Sequence, residues 1–174
     1  MPLTLHAAVI PGWLQMLGAA RALIDKAQDW CAEHQVDPAD LLGARLADDM
    51  LPLAYQWKSC RVHSRGAIEG LRAGSFSPDM SAPPASFAAA AALIDDATGF
   101  LQALDPAELE DLAAKTVGFS INDVVLMEFT GTNFLLGFSQ PNFYFHMTAA
   151  YAILRARGVP VGKVDYLGAM PLGG

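Results

Sequence analysis

A mainly α-helical bundle is the architecture this sequence predicts, and three observations predict it. Apolar residues recur at steps of three and four over long stretches. The candidate helices stop at Gly, Pro and Asp-Pro signals. Strand-like alternation is confined to one short region before the last helix. With 174 residues, 53% of them hydrophobic and 17% charged, the chain can bury one sizeable core, so one domain over residues 1–174 is expected.

Each element follows from local signals. Over residues 4–34, Ile10, Trp13, Leu17, Ala20, Ile24, Ala27 and Cys31 share one face of a long helix. Pro11 removes a backbone hydrogen bond there, which predicts a bend or a separate first segment. In Asp37-Pro38-Ala39-Asp40, Asp37 is placed as N-cap and Pro38 at the first helical position. A second long helix is expected over 48–72, with Met50, Leu53, Trp57, Cys60 and Ile68 on its apolar face and Gly74 as its stop. Residues 75–84, rich in Ser and Pro, read as an exposed connection, and 86–104 return to an alanine-rich helix. Two short strands then flank Asn122-Asp123, a tight-turn dipeptide. The hairpin must lean on helices to be stable. The last helix starts at Thr130 or Thr132 and runs to about Arg157, where Gly158 and Pro160 end it; Pro141 predicts a kink inside it. No internal repeat is visible.

Composition excludes several function classes. A net charge of -7 and a pI near 4.8 leave no electrostatic footprint for nucleic acid and disfavour anionic membranes. Residues 129–154 carry no charged side chain and are long enough to span a bilayer, but Thr130, Asn133, Gln140, Asn142 and His146 would each need partners in lipid. A buried helix of a soluble protein is the expectation. No signal peptide is evident at the N-terminus, and Cys31 and Cys60 lack Cys-x-x-Cys spacing, so a cytoplasmic protein with reduced thiols is expected. A disulfide between the two stays open at this point.

The chemistry-bearing candidates are histidines, because imidazole is the commonest metal ligand and titrates near neutral pH. His6, His63 and His146 lie on three different helices. Asp49, Gln56 and His63 are spaced by seven and form one stripe at the fringe of the second helix's apolar face, while Asn142 and His146 are four apart on the last. Three readings of His146 stand side by side: a core histidine bonded within the bundle or to a carbonyl freed by Pro141, a ligand-binding group, and a metal ligand. A catalytic zinc usually takes three protein ligands, and the sequence has neither His-x-x-x-His nor His-Glu-x-x-His. Any such site would therefore collect ligands from separate helices. His34, at the end of the first helix, reads as a group that compensates the helix dipole. Cys60 stands three residues from His63, a spacing that permits a Cys–His pair without specifying one. Gly158-Val159-Pro160-Val161-Gly162-Lys163 is not a phosphate loop and reads as a tail folded back over the bundle. Phe134, Phe138, Phe143, Tyr144, Phe145 and Tyr151 point around more of the last helix than one core face can use. That favours a homodimer, with a hydrophobic ligand pocket as the alternative.

Three blocks carry a family resemblance: residues 44–53 (ARLADDMLPL), 141–155 (PNFYFHMTAAYAILR) and 158–168 (GVPVGKVDYLG). Together they resemble an uncharacterised bacterial family of unknown function within the DinB/YfiT-like superfamily of putative metalloenzymes. The resemblance covers nearly the whole chain. It implies an antiparallel four-helix bundle, frequently dimeric, with a small β-hairpin before the last helix. It also implies a divalent metal, zinc or nickel, held by one histidine on the second helix and a His-x-x-x-His pair on the last, and in some members a metal-dependent thiol transferase activity. His63 and His146 match two of those positions, and Asn142 stands where the third histidine would be. Asp49 or His6 would have to complete an altered set.

Two functions follow. One is a non-catalytic or degenerate-site homodimer that binds a small molecule or partner through Asn142, His146, His63, Asp49 and Gln56. The other is a divalent-metal-dependent transferase or hydrolase with His146 and His63 as ligands.

Overall fold

The computed structural model describes residues 3–171. The first helix, α1, runs Leu5–His34 without interruption. Thr4 caps it, its Oγ1 accepting from the Ala7 N–H at 3.1 Å, and the helix passes straight through Pro11, so the expected separate first segment does not form. By length and composition α1 could cross a membrane. Its apolar stripe, with Trp13, Leu17, Leu23 and Ile24, is buried in the protein core. A left-handed Gln35 closes it, and Asp37 with Pro38 starts α2 (Pro38–Leu42) as the sequence indicates.

The second long helix differs from expectation in two places that bear on the site. It begins only after Pro52, as α3 (Leu53–Val62), because the residue before a proline is pushed away from helical geometry. Asp49 therefore stands on an exposed turn outside the helix, and the stripe of seven reduces to Gln56 and His63. The helix then breaks at His63–Ser64 before resuming as α4 (Arg65–Ala73). Ser64 Oγ donates to the Cys60 carbonyl at 2.6 Å, a local bond that competes with helix continuation.

The 75–84 connection opens with β1 (Ser75–Phe76), which pairs in parallel with β2 (Thr116–Ile121). Between them lie α5 (Phe87–Gln102), capped by Ser86, and α6 (Pro106–Leu112), capped by Asp105 ahead of Pro106. Helix α6 was not expected, although its Asp105-Pro106 start repeats the Asp37-Pro38 start of α2. Strand β3 (Val124–Thr130) pairs antiparallel with β2, so the sheet order is β1-β2-β3. Asn122 and Asp123 both have positive φ, as a two-residue primed turn requires.

The last helical run starts at α7 (Gly131–Asn133), with Thr130 Oγ1 accepting from Asn133 N–H, and continues through a π-helical turn (Phe134–Ser139) into α8 (Gln140–Ala156). The wider π turn takes the place of the interruption that Pro141, which lacks an N–H, would otherwise force on the run. A short α9 (Lys163–Leu167) realises the folded-back tail, and Gln15 Nε2 on α1 donates to the Leu167 carbonyl at 2.7 Å. Helix α1 packs on α5, α3 packs on both α8 and α5, and the sheet leans on α4. The protein is mainly helical with a small three-stranded sheet.

Candidate functional site

The packing of α3 against α8 brings together two of the residues the sequence singled out. The His63 and His146 rings stack with centroids 5.6 Å apart and planes 16° from parallel. His63 occupies the break after α3, where the chain leaves helical geometry. His146 projects from the middle of α8.

Gln56 links them to the chain before α3. Its Nε2 donates to the Leu51 carbonyl at 2.7 Å, which turns Oε1 toward His146 Nδ1 at 2.8 Å. An amide oxygen only accepts, so His146 Nδ1 must carry the proton and Nε2 presents a lone pair. Gln56, 2% exposed, is thus a fixed acceptor that sets the tautomer. His63 Nδ1 is buried without a hydrogen-bond partner among the described residues. Such an orphan costs about 1–3 kcal/mol unless something pairs with it.

Aromatic rings wall the pair. Phe76 and Phe138 lie 5.5 and 5.7 Å from His63, and Tyr55 and Phe145 lie 6.2 and 5.3 Å from His146. This apolar setting disfavours the imidazolium. Burial pushes His146 down to about 4; burial, reinforced by the neighbouring His146, pushes His63 down to about 3. Both rings are neutral at pH 7.

The remaining candidates fall away from the pair or change role. Asn142 turns back along its own helix, its Nδ2 donating to the Phe138 carbonyl at 2.7 Å, and so ties α8 to the π turn. Asp49 is exposed on its turn. His6 sits in the first turn of α1, where its backbone N–H donates to Glu110, and its ring is not among those packed on His63 or His146. His34 bonds the Trp30 carbonyl at the α1 terminus, in keeping with the end-of-helix reading. Cys31 and Cys60 are free and buried. Burial pushes the Cys60 thiol up to about 12, the opposite of what an activated Cys–His pair needs. Among the described residues, no group of three or more His, Cys, Asp or Glu side chains is placed to hold a metal ion. The donor set therefore does not fit a three-histidine centre: two imidazoles are present, and the amide in the third position is turned away.

Tyr55 and Phe76 were not expected as walls of the site, and Phe138 was expected only as one of the last-helix aromatics that could face a dimer partner or a hydrophobic pocket. Phe76 was hidden in a segment read as loop. Phe138 depends on the π turn, which no periodicity announces.

Replacing Gln56 by Leu tests the tautomer assignment. Nitrogen-15 NMR of the wild type is expected to show His146 protonated on Nδ1; the variant is expected to lose that preference and about 1–3 kcal/mol of stability through the orphaned N–H.

A mainly helical protein with paired, neutral imidazoles on two packed helices is the class that fold and site define. The chain belongs to a family defined by a domain of unknown function, DUF1993, whose model matches residues 5–167. It is also similar in structure to a DinB family member protein from Shewanella denitrificans, with a TM-score of 0.82 and 29% sequence identity over 98% of this chain and 95% of that one. No curated protein matches the chain. The DinB-like resemblance read from the three sequence blocks is borne out by both findings.

Proposed function

We propose that this chain is a binding module of the DinB-like bundle type, with α1, α3–α4, α5 and α8 as an antiparallel four-helix bundle, and that it acts as a non-catalytic homodimer. Its ligand is a small apolar molecule that presents one hydrogen-bond donor to the His63–His146 pair. The observation that carries this reading is the Gln56-fixed tautomer of His146, which presents an acceptor inside an aromatic wall. A donor such as a hydroxyl satisfies that acceptor, and the rings cover an apolar body. Dimerisation is supported by Phe145, 58% exposed on a helix face without charges from Gln140 to Leu154.

Phenol and anisole separate the hydrogen bond from the apolar contact. Phenol is expected to shift the His146 Nε2 resonance and anisole, which lacks the O–H, to leave it in place. Silence toward both would sink the reading.

The second reading, a zinc- or nickel-dependent transferase or hydrolase, is favoured by one observation: both imidazoles are neutral and therefore able to donate lone pairs to a cation. Elemental analysis of protein purified without added metal or an affinity tag decides between the two. The binding module is expected to be metal-free; stoichiometric zinc or nickel that is lost in His146→Ala would establish the second reading instead.

A further inference from the structure

Lys58 is only 4% exposed, unusual for a residue that normally keeps its ammonium in water. Its Nζ reaches the Asp79 carbonyl at 3.0 Å, the Asp79 carboxylate at 2.9 Å, and the carbonyl and hydroxyl of Ser81 at 2.6 and 2.9 Å. All four oxygens belong to the segment between β1 and α5. Among the described residues, every hydrogen bond tying 78–85 to the rest of the chain ends on this one ammonium. Pro78, Pro83 and Pro84 have no N–H to contribute. A cavity of about 280 Å³, open to one side, is lined by the segment's Asp79 and Ser81 together with Lys58, Arg61, Ala89 and Leu93.

Both ends of this attachment touch the walls of the imidazole site. The segment leaves β1 at Phe76, which packs on His63 and on Phe138. The Lys58 ammonium stands 5.7 Å from the Tyr55 ring centroid, and Tyr55 stands edge-on to His146. His63 Nδ1, meanwhile, is sealed from solvent and unpaired among the described residues. A ligand that pairs with it has to displace part of the wall. Phe76 is the wall residue whose strand, only two residues long, runs directly into this segment.

We propose that residues 78–85 form a strap latched by Lys58, and that release of this latch, which leaves the Ser77–Ser120 contact as the last hold beside Phe76, opens the Phe76 wall and admits ligand to His63. The inference rests on the reading of the imidazole pair as a binding site, but its test does not depend on which ligand binds. Among the described residues the Lys58 ammonium bonds only to oxygens of 78–85 and is the one hydrogen-bonded hold on that stretch, while Ser77 next to Phe76 keeps a separate hydroxyl contact with Ser120 at 2.8 Å; so few attachments suit local opening without global unfolding.

The test compares Lys58→Met with wild type in two rates, both read by peptide mass spectrometry. One is nicking of 78–85 by proteinase K; the other is carbethoxylation of His63 by diethyl pyrocarbonate. Each rate is expected to rise about tenfold or more as local opening becomes cheaper, with the exposed His34 as an unchanged control. Unchanged nicking would overturn the latch, and faster nicking with unchanged His63 reactivity would overturn the gating. Asp79→Ala, which keeps Lys58, covers the case in which Lys58→Met does not fold: a rise of about threefold in both rates is expected, and no rise overturns the proposal. If phenol fails to bind while both rates rise, the ligand assignment falls and the latch stands.

Discussion

Lowering the pH from 6.5 to 4.5 is expected to remove on the order of 5 kcal/mol of folding stability, most of it through His63 and His146. In the unfolded chain both histidines titrate near 6.5; in the folded protein burial holds His146 to about 4 and His63 to about 3. From about one unit above 6.5 upward both states carry neutral rings and the pair contributes no pH dependence. As the pH falls below 6.5 the unfolded chain takes up protons that the folded one refuses, so stability drops by about 1.4 kcal/mol per pH unit for each ring. The loss levels off only below the folded values. Three ion-paired carboxylates act mainly below this window. Burial raises Asp79, but hydrogen bonds from Ser81 and then Lys58 outweigh it and hold Asp79 below its ordinary range, as Arg72 does for Glu108 and Lys26 for Asp165, so their stabilising contributions fail at lower pH. Urea denaturation at constant ionic strength, repeated at half-unit intervals, measures the slope. His63→Leu is expected to reduce it by about half. A flat profile in the wild type would show that the rings are not buried as neutral bases.

The same burial explains why the pair suits binding more readily than acid–base catalysis at neutral pH. A general base works best with a pKa near the operating pH, and these rings lie well below it. A neutral imidazole with a fixed tautomer remains a good acceptor, and its geometry is set by Gln56 without any charge to solvate. Charge-poor surroundings that would weaken a proton shuttle strengthen a hydrogen bond.

Much of this arrangement was legible in the residues. The apolar stripes of α1 and α5, the Asp37-Pro38 start and the Asn122-Asp123 turn are local signals, and the structure follows them. The convergence of His63 and His146 was legible only as two helices that each carried an imidazole. What escaped depended on contacts distant in sequence or on local competition. The two residues of β1 form a strand only because β2 is there to pair with them. The break at His63–Ser64 turns on one serine bonding its own helix, and a periodic pattern runs across it undisturbed. The Asp49–Gln56–His63 stripe assumed that helical geometry extended back through Pro52, where it does not. Asn142 lies one turn before His146 as the sequence indicates, but its amide bonds back to the Phe138 carbonyl of its own helical run, a direction that spacing alone does not give.

That π turn depends on a fixed starting point, and Gly131→Ala is expected to disturb it at a cost of about 3 kcal/mol or more, the upper end for overpacking. A methyl group at Gly131 would lie 2.2 Å from the Leu112 carbonyl oxygen, 3.1 Å from Leu71 Cδ1 and 3.2 Å from the Ala113 carbonyl. The first of these is backbone at the end of α6, already accepting from Lys115 N–H, and cannot swing aside as a side chain would. Thr132, the next residue, is held to the Ala113 carbonyl by its N–H at 2.9 Å and its hydroxyl at 3.2 Å. Relief therefore requires the start of the last helical run to move away from α6, carrying Phe134 and Phe138 with it. Phe138 is a wall of His63, so the displacement reaches the site as well as the core. Gly137→Ala is the matched control: nothing lies within 4 Å of its added methyl, and loss of glycine's backbone freedom is expected to leave stability unchanged or raise it by up to about 1 kcal/mol. Denaturant midpoints of the two variants measure the contrast, and nitrogen-15 shifts of His63 report whether the wall has moved. Equal stabilities would mean that the contact between Gly131 and the end of α6 does not fix the position of the last helix.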